Sequence, residues 1–154
     1  MPKQSAGILL YRKINNTLQV FLAHPGGPFF KNKDEGSWTI PKGEFLDDEE
    51  PLAAAKREFQ EETCQPIDGD FISLGSVKQK SGKTVFAWAV EGDIDPENIT
   101  SNVFDLEWPP RSGKMIAIPE VDRAEWFDVA IAKQKINPAQ VPLVERLVNL
   151  QLIY

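Results

Sequence analysis

The stretch Gly43-Glu44-Phe45-Leu46-Asp47-Asp48-Glu49-Glu50-Pro51-Leu52-Ala53-Ala54-Ala55-Lys56-Arg57-Glu58-Phe59-Gln60-Glu61-Glu62-Thr63-Cys64-Gln65 decides the fold. From Pro51 to Thr63 it holds helix formers and no glycine, and Pro51 suits a first helical position, where its missing N–H costs nothing. On a helical wheel started at Leu52, residues Ala55, Phe59 and Thr63 fall within about 60 degrees, an apolar stripe that packs on a core. Glu58, Glu61 and Glu62 stand at i, i+3 and i+4, so three carboxylates share a sector of about 100 degrees. Like charges so placed repel. One reading is a solvated acidic face. The other is a site for magnesium, manganese or calcium, which bind oxygen ligands.

The flanking spacing separates the two readings. Gly43, five residues, Glu49, seven residues and then Arg57-Glu58-Phe59-Gln60-Glu61-Glu62 reproduces the Nudix signature. Those six identities at fixed spacing would arise by chance on the order of once in 10⁵ sequences. Two positions depart from it: Cys64 replaces the usual glycine after the helix and Gln65 the usual apolar residue, while Pro66-Ile67 offers a chain break and an apolar anchor just beyond. The chain thus resembles the Nudix hydrolases over nearly its whole length. The resemblance implies an α/β fold, a mixed β-sheet in an α/β/α sandwich. It also implies cleavage of a phosphoanhydride bond in a nucleoside diphosphate derivative, by water attack on phosphorus, with Mg2+ (or Mn2+). Carried over by position, Glu58, Glu61 and Glu62 are the metal ligands with the Gly43 carbonyl, and one of the three glutamates also activates water. Arg57 points about 100 degrees away from Glu58 on the wheel, and the resemblance pairs it with Glu49.

Working outward, Gln4 to Lys13 and Leu18 to His24 read as a hairpin turned at Asn15-Asn16, residues that tolerate left-handed geometry. Pro25 to Gly36 reads as a loop, Trp38-Thr39-Ile40 as a short strand stopped by Pro41. Phe71 to Lys80 and Lys83 to Glu91 flank Ser81-Gly82, a two-residue turn signal. Residues 92 to 122 carry Pro96, Pro109, Pro110 and Pro119 with little periodicity, and read as a long loop with a strand at Phe104 to Glu107. Ala124 to Phe127 is a further strand, Asp128 an N-cap, and Leu143, Val144, Leu147, Val148 and Leu150 a helical stripe. No linker or repeat divides residues 1–154, so one domain is expected.

Composition narrows the partners. The 154 residues carry 17 Lys and Arg against 23 Asp and Glu, which disfavours a nucleic-acid polymer or an anionic membrane held by bulk charge. Apolar runs are far shorter than the roughly 18 residues of a membrane span, the N-terminus lacks a signal core, and a cytoplasmic location is expected. One Cys and one His exclude a zinc site of Cys/His type. Gly43 to Glu62 holds eight acids and two bases, so the whole excess of −6 lies in the segment with the metal motif.

Outside that segment, Ser37-Trp38-Thr39-Ile40-Pro41-Lys42-Gly43 and Lys83-Thr84-Val85-Phe86-Ala87-Trp88 are similar to runs in asymmetric diadenosine tetraphosphate hydrolases. There the Gly is commonly followed by His, and this chain has Glu44. The run Asn102 to Lys114 is similar to one in bacterial Nudix proteins and carries no substrate with it. A dinucleoside polyphosphate is therefore the first expected substrate. The alternatives are a nucleoside triphosphate, ADP-ribose or a nucleotide sugar, or a non-catalytic nucleotide-binding module. Lys42 is a candidate phosphate contact, and Phe29, Phe30 and Trp108 are candidates for stacking on a base. Lys31, Lys33, Arg111 and Lys114 would extend phosphate contacts, and Glu107, Glu120 and Glu125 are candidate auxiliary bases. His24, Trp126 and Phe127 read as structural.

Overall fold

The computed structural model describes residues 3–153, with side chains through Gln151. Strand β1 (Gln4–Ile14) turns into β2 (Thr17–Pro25) through Asn15 and Asn16, whose φ angles of 51° and 65° are those a two-residue hairpin demands. The two strands pair only from Tyr11↔Val20 to Ile14↔Thr17 and then splay. Residues 38–44 fill the gap: Thr39 bridges to Ala23 of β2, and β3 (Lys42–Glu44) pairs antiparallel with Ser5 to Gly7 of β1. The expected strand Trp38-Thr39-Ile40 is therefore reduced to single bridges, Thr39↔Ala23 and Trp38↔Ile136, because the chain crosses from one flank to the other. Gly7 permits that crossing, since a Cβ on it would fall 2.6 Å from the Pro41 carbonyl oxygen.

On the other side of β1 lies β5 (Thr84–Glu91), parallel to it, and β4 (Ile72–Lys78) follows antiparallel. Beyond β2 the sheet ends with β8 (Val121–Asp128), so the order is β4-β5-β1-β2-β8 with β3 inserted beside β1. The β4–β5 connection spans residues 79–83, longer than the expected two-residue turn: the Gln79 N–H donates to the Lys83 carbonyl at 2.8 Å and the Gly82 N–H to the Gln79 carbonyl at 2.8 Å.

Alternating residues of β1 are buried on both faces. Ile8 and Leu10 pack with Phe21 and Val90 against α1 (Pro51–Thr63), and Leu9 and Tyr11 pack on the opposite side with Leu143 and Leu147 of α3 (Val141–Ile153). This is the expected sandwich. Helix α1 starts on Glu50, whose side chain accepts from the Ala53 N–H at 3.3 Å, and buries Ala55, Phe59 and Thr63 as the wheel requires. Asp128 stands at the N-cap of α2 (Val129–Lys135) but makes no side-chain cap, because its Oδ1 accepts instead from Gln19 Nε2 at 2.9 Å.

Residues 92–122 hold more regular structure than the expected ordered loop with one strand. β6 (Val103–Glu107) and β7 (Met115–Pro119) form a separate antiparallel ribbon, registered from Val103↔Pro119 to Glu107↔Met115. Proline at the strand end marks its exit and does not prevent pairing. Among the described residues, no helix is long and apolar enough to cross a membrane.

Candidate active site

Three elements place carboxylates around one cavity of about 480 Å³. Helix α1 supplies Glu58 and Glu62, β3 supplies Lys42, Gly43 and Glu44, and the residue between β7 and β8 is Glu120. Glu62 is fixed by geometry as well as by packing, because its Oε2 accepts from the Lys42 backbone N–H at 2.8 Å. Glu58 lies against Gly43 so closely that a Cβ there would come within 2.0 Å of Oε2. The backbone of β3 and the carboxylate of Glu58 thus share a space that only glycine leaves open.

Burial sets the electrostatics. It raises the pKa of Glu58, in spite of the Arg57 guanidinium, and raises that of Glu120. Glu62 is pushed up from 4.5 to about 8, chiefly by burial and against the pull of Lys42. Burial also lowers the pKa of Lys42, with Lys83 acting in the same direction. Lys83 hydrogen-bonds Glu44 and holds that carboxyl below its ordinary value, with Nζ 3.1 Å from Oε1. Ser5 completes this wall: its hydroxyl is buried and has no hydrogen-bond partner among the described residues.

Arg57 differs from the wheel. It does grip Glu49 with two bonds of 2.9 Å, from Nε and Nη2. Its Nη1 also donates to Glu58 Oε1 at 2.7 Å and to Glu61 Oε2 at 3.2 Å, because three methylenes carry the guanidinium back across the 100 degrees that separate the two positions. Glu61 is consequently turned toward Arg57, and among the described residues no three Asp, Glu, His or Cys side chains stand as a ready set of metal ligands. The donor set nevertheless fits a hard divalent cation. Glu58 and Glu62 are oxygen donors half or wholly withdrawn from water, packed around a glycine backbone, with raised pKa values that a cation would reverse.

The other sequence candidates separate cleanly. Phe30 lines the cavity, whereas Phe29 is exposed and stacks edgewise on Phe30 with Lys33 Nζ 3.6 Å above it. Trp108 sits at the far end of the β6–β7 ribbon, where its N–H donates to the Lys114 carbonyl at 2.9 Å, and does not wall the cavity. Of the auxiliary glutamates only Glu120 reaches it; a Glu107 oxygen accepts from the Arg111 N–H instead, at 2.9 Å. His24 is fully buried away from the site, between Asp122 and the Lys33 carbonyl, each at 2.8 Å, and ties the loop after β2 to β8. Trp126 packs on Phe21 and Phe127 on Trp38, as core residues do. The sequence reading missed Phe104, Ser5, Lys83 and Glu44 as wall residues. Phe104 and Lys83 had a signal, being an aromatic and a base at the first positions of expected strands, but only the folded ribbon and the β1–β5 pairing bring them in.

Cys64 takes up the geometry that glycine usually supplies after this helix, with φ 59° and ψ 21°, and its N–H donates to the Gln60 carbonyl at 2.7 Å. Ile67 is packed against the α1 side of the core, so the apolar anchor is restored two residues late.

A helix bearing carboxylates over a mixed sheet, lining one polar cleft with two lysines, offers oxygen donors to a hard cation and positive charge to an anionic ligand. The NUDIX domain model matches residues 1–147, and the chain belongs to the Nudix family. Among solved structures, the chain is similar to an Ap4A hydrolase of C. elegans in a binary complex, at 19% identity, TM-score 0.69 and 99% of each chain. It is similar to the NUDIX domain of Shewanella oneidensis NrtR complexed with ADP ribose, at 17% identity, TM-score 0.66, over 98% of this chain and 89% of that one. A mutT/nudix family protein from Listeria innocua matches at 18% identity and TM-score 0.65, over 99% of this chain and 96% of that one. No curated protein sequence matches the chain significantly.

Proposed function

We propose that the protein hydrolyses a phosphoanhydride bond in a nucleoside diphosphate derivative with Mg2+ or Mn2+, and that a dinucleoside polyphosphate is its substrate. The observation that supports this reading is that Glu58 and Glu62, packed around Gly43, line one cavity together with the bases Lys42 and Lys83. Glu58, Glu62 and the Gly43 backbone would hold the metal, with Glu61 joining once it leaves Arg57. When bound, a divalent cation neutralises phosphate oxygens and acidifies water.

The remaining work falls to this chain's own side chains. Lys42 and Lys83 offset the charge of the polyphosphate, and the unpartnered Ser5 hydroxyl donates to one of its oxygens. Phe30 and Phe104 present flat apolar surfaces to a nucleobase. Glu120 stands across the cavity from the helix with no side-chain hydrogen bond among the described residues, and its raised pKa suits it to take a proton from the attacking water. Water attacks phosphorus, the anhydride P–O bond breaks, and the departing phosphate oxygen carries away the electron pair beside Lys42.

The test is hydrolysis with Mg2+ of dinucleoside polyphosphates, nucleoside triphosphates, ADP-ribose and nucleotide sugars, with products identified by mass. Cleavage of a dinucleoside polyphosphate, lost by at least about 100-fold in folded Glu58→Gln and Glu62→Gln proteins, is the expected result. Full metal-dependent activity in either variant overturns the roles assigned, and cleavage of triphosphates alone overturns the substrate.

A further inference from the structure

The cleft continues past Lys42. A second cavity of about 340 Å³ shares Pro25, Phe30 and Lys42 with the first and has Gln79, Asn137 and Gln140 in its far wall. That volume lies within the range of about 300–1,000 Å³ typical of small-molecule sites. Unlike the first cavity it is lined by no carboxylate among the described residues.

A chain of amides fixes the polarity of the wall. Gln140 is fully buried, and its Oε1 accepts from the Ile40 backbone N–H at 3.1 Å. A backbone N–H can only donate, so that bond settles which end of the amide is oxygen. Gln140 Nε2 must then donate to Thr39 Oγ1 at 2.9 Å and to Gln79 at 3.0 Å. The atom of Gln79 that receives it is necessarily Oε1, which leaves the Gln79 NH₂ for the cavity, and among the described residues no hydrogen bond engages that nitrogen. Asn137 repeats the pattern: its Oδ1 accepts from the Ala139 N–H at 2.9 Å, and its amide nitrogen is left over. Lys33 adds a cation to the same wall. The two amide N–H groups of this wall have no hydrogen-bond partner among the described residues.

We propose that this second cavity takes the group beyond the polyphosphate and prefers a nucleobase presenting a carbonyl oxygen to one presenting an amine at the same position, through the amide N–H groups of Gln79 and Asn137. The inference rests on the hydrolase reading, which puts the polyphosphate in the first cavity and so makes Lys42 the bridge to the second. Uracil and cytosine differ in this respect at C4, an acceptor oxygen against a donor NH₂, and with it at N3, a donor N–H against an acceptor nitrogen. A site built to donate leaves its own N–H groups unpaired against the amine, which is where discrimination of this kind arises.

The experiment measures dissociation constants by calorimetry, with Mg2+, for methylene-bridged analogues of diuridine and dicytidine tetraphosphate, which do not turn over. The protein itself should bind the uridine analogue at least about tenfold tighter. Gln79→Glu keeps the oxygen that Gln140 meets and replaces the outward donor by an acceptor, so it should reverse the ratio, and Gln79→Leu should bring it near one. Equal affinities in the unmodified protein, binding of neither analogue, or a ratio that neither substitution moves overturns the proposal. Hydrolysis of the parent dinucleotides is followed separately. A preserved affinity ratio without hydrolysis removes the hydrolase reading and keeps the cavity's role; hydrolysis without the ratio does the opposite.

Discussion

The Glu58 carboxylate occupies the space above Gly43 that a side chain would need, with Oε2 2.0 Å from the position of the missing Cβ. Gly43→Ala should therefore displace Glu58 without disturbing the buried helix stripe. The expected outcome is a loss of metal-dependent turnover of roughly 10–100-fold, the range seen when a ligand's support is removed, with a near-normal thermal midpoint. Steady-state kinetics together with a melt measured in chelator separates the two effects.

The pH dependence of Glu62 has a definite sign. Its pKa rises from 4.5 to about 8 on folding, so between those values the folded chain holds a proton that the unfolded chain releases. Stability of the metal-free protein should fall as pH rises through that window, and Glu62→Gln should flatten the slope while abolishing activity. Metal binding must expel the same proton, so apparent affinity should climb with pH and level off near 8. Melts in chelator at pH 6 and 9, with metal titrations at the same values, check both.

Arg57 holds Glu49 through a planar two-bond contact that an ammonium cannot copy. Arg57→Lys should lower kcat/KM about tenfold by freeing the loop before α1, with little change in thermal midpoint. A double substitution with Glu49→Gln should cost no more than Arg57→Lys alone, which a thermodynamic cycle on kcat/KM reads directly.

Cys64 pays a local penalty for its left-handed backbone, with φ 59°. Cys64→Gly should stabilise the protein by about 1 kcal/mol, as urea unfolding would show, and leave the pKa of Glu62 where it is.

Much of this architecture was legible in local residue chemistry. Asn15-Asn16 announces its hairpin because both residues accept positive φ, and Pro51 with the Leu52–Phe59 stripe announces α1 because helix periodicity needs no partner. β3 was not legible, since Lys42-Gly43-Glu44 has no strand-forming residue and exists as a strand only where Ser5 to Gly7 offers it a ladder. β7 was hidden by its neighbouring proline and glycine residues, though Met115 to Ile118 is apolar throughout. The choice of Glu120 over Glu107 and Glu125 could not be made from spacing, because all three are equally plausible carboxylates until the fold brings the β7–β8 junction to the cavity that Glu58 and Glu62 line. Arg57's second role, on Glu58 and Glu61, was obscured by treating side chains as spokes of a wheel when this one is long enough to turn.

Among the described residues, the β6–β7 ribbon pairs with no strand of the main sheet. Phe104, near the base of the ribbon, lines the cavity with Glu58 and Glu62, whereas the Trp108–Lys114 end stands clear of it, so a change at Phe104 alters the cavity wall without touching the pairing of the main sheet. The ribbon is thus a separable part, and the face it turns to the cavity can be recast through Phe104 while the carboxylate helix and the ladder keep their places.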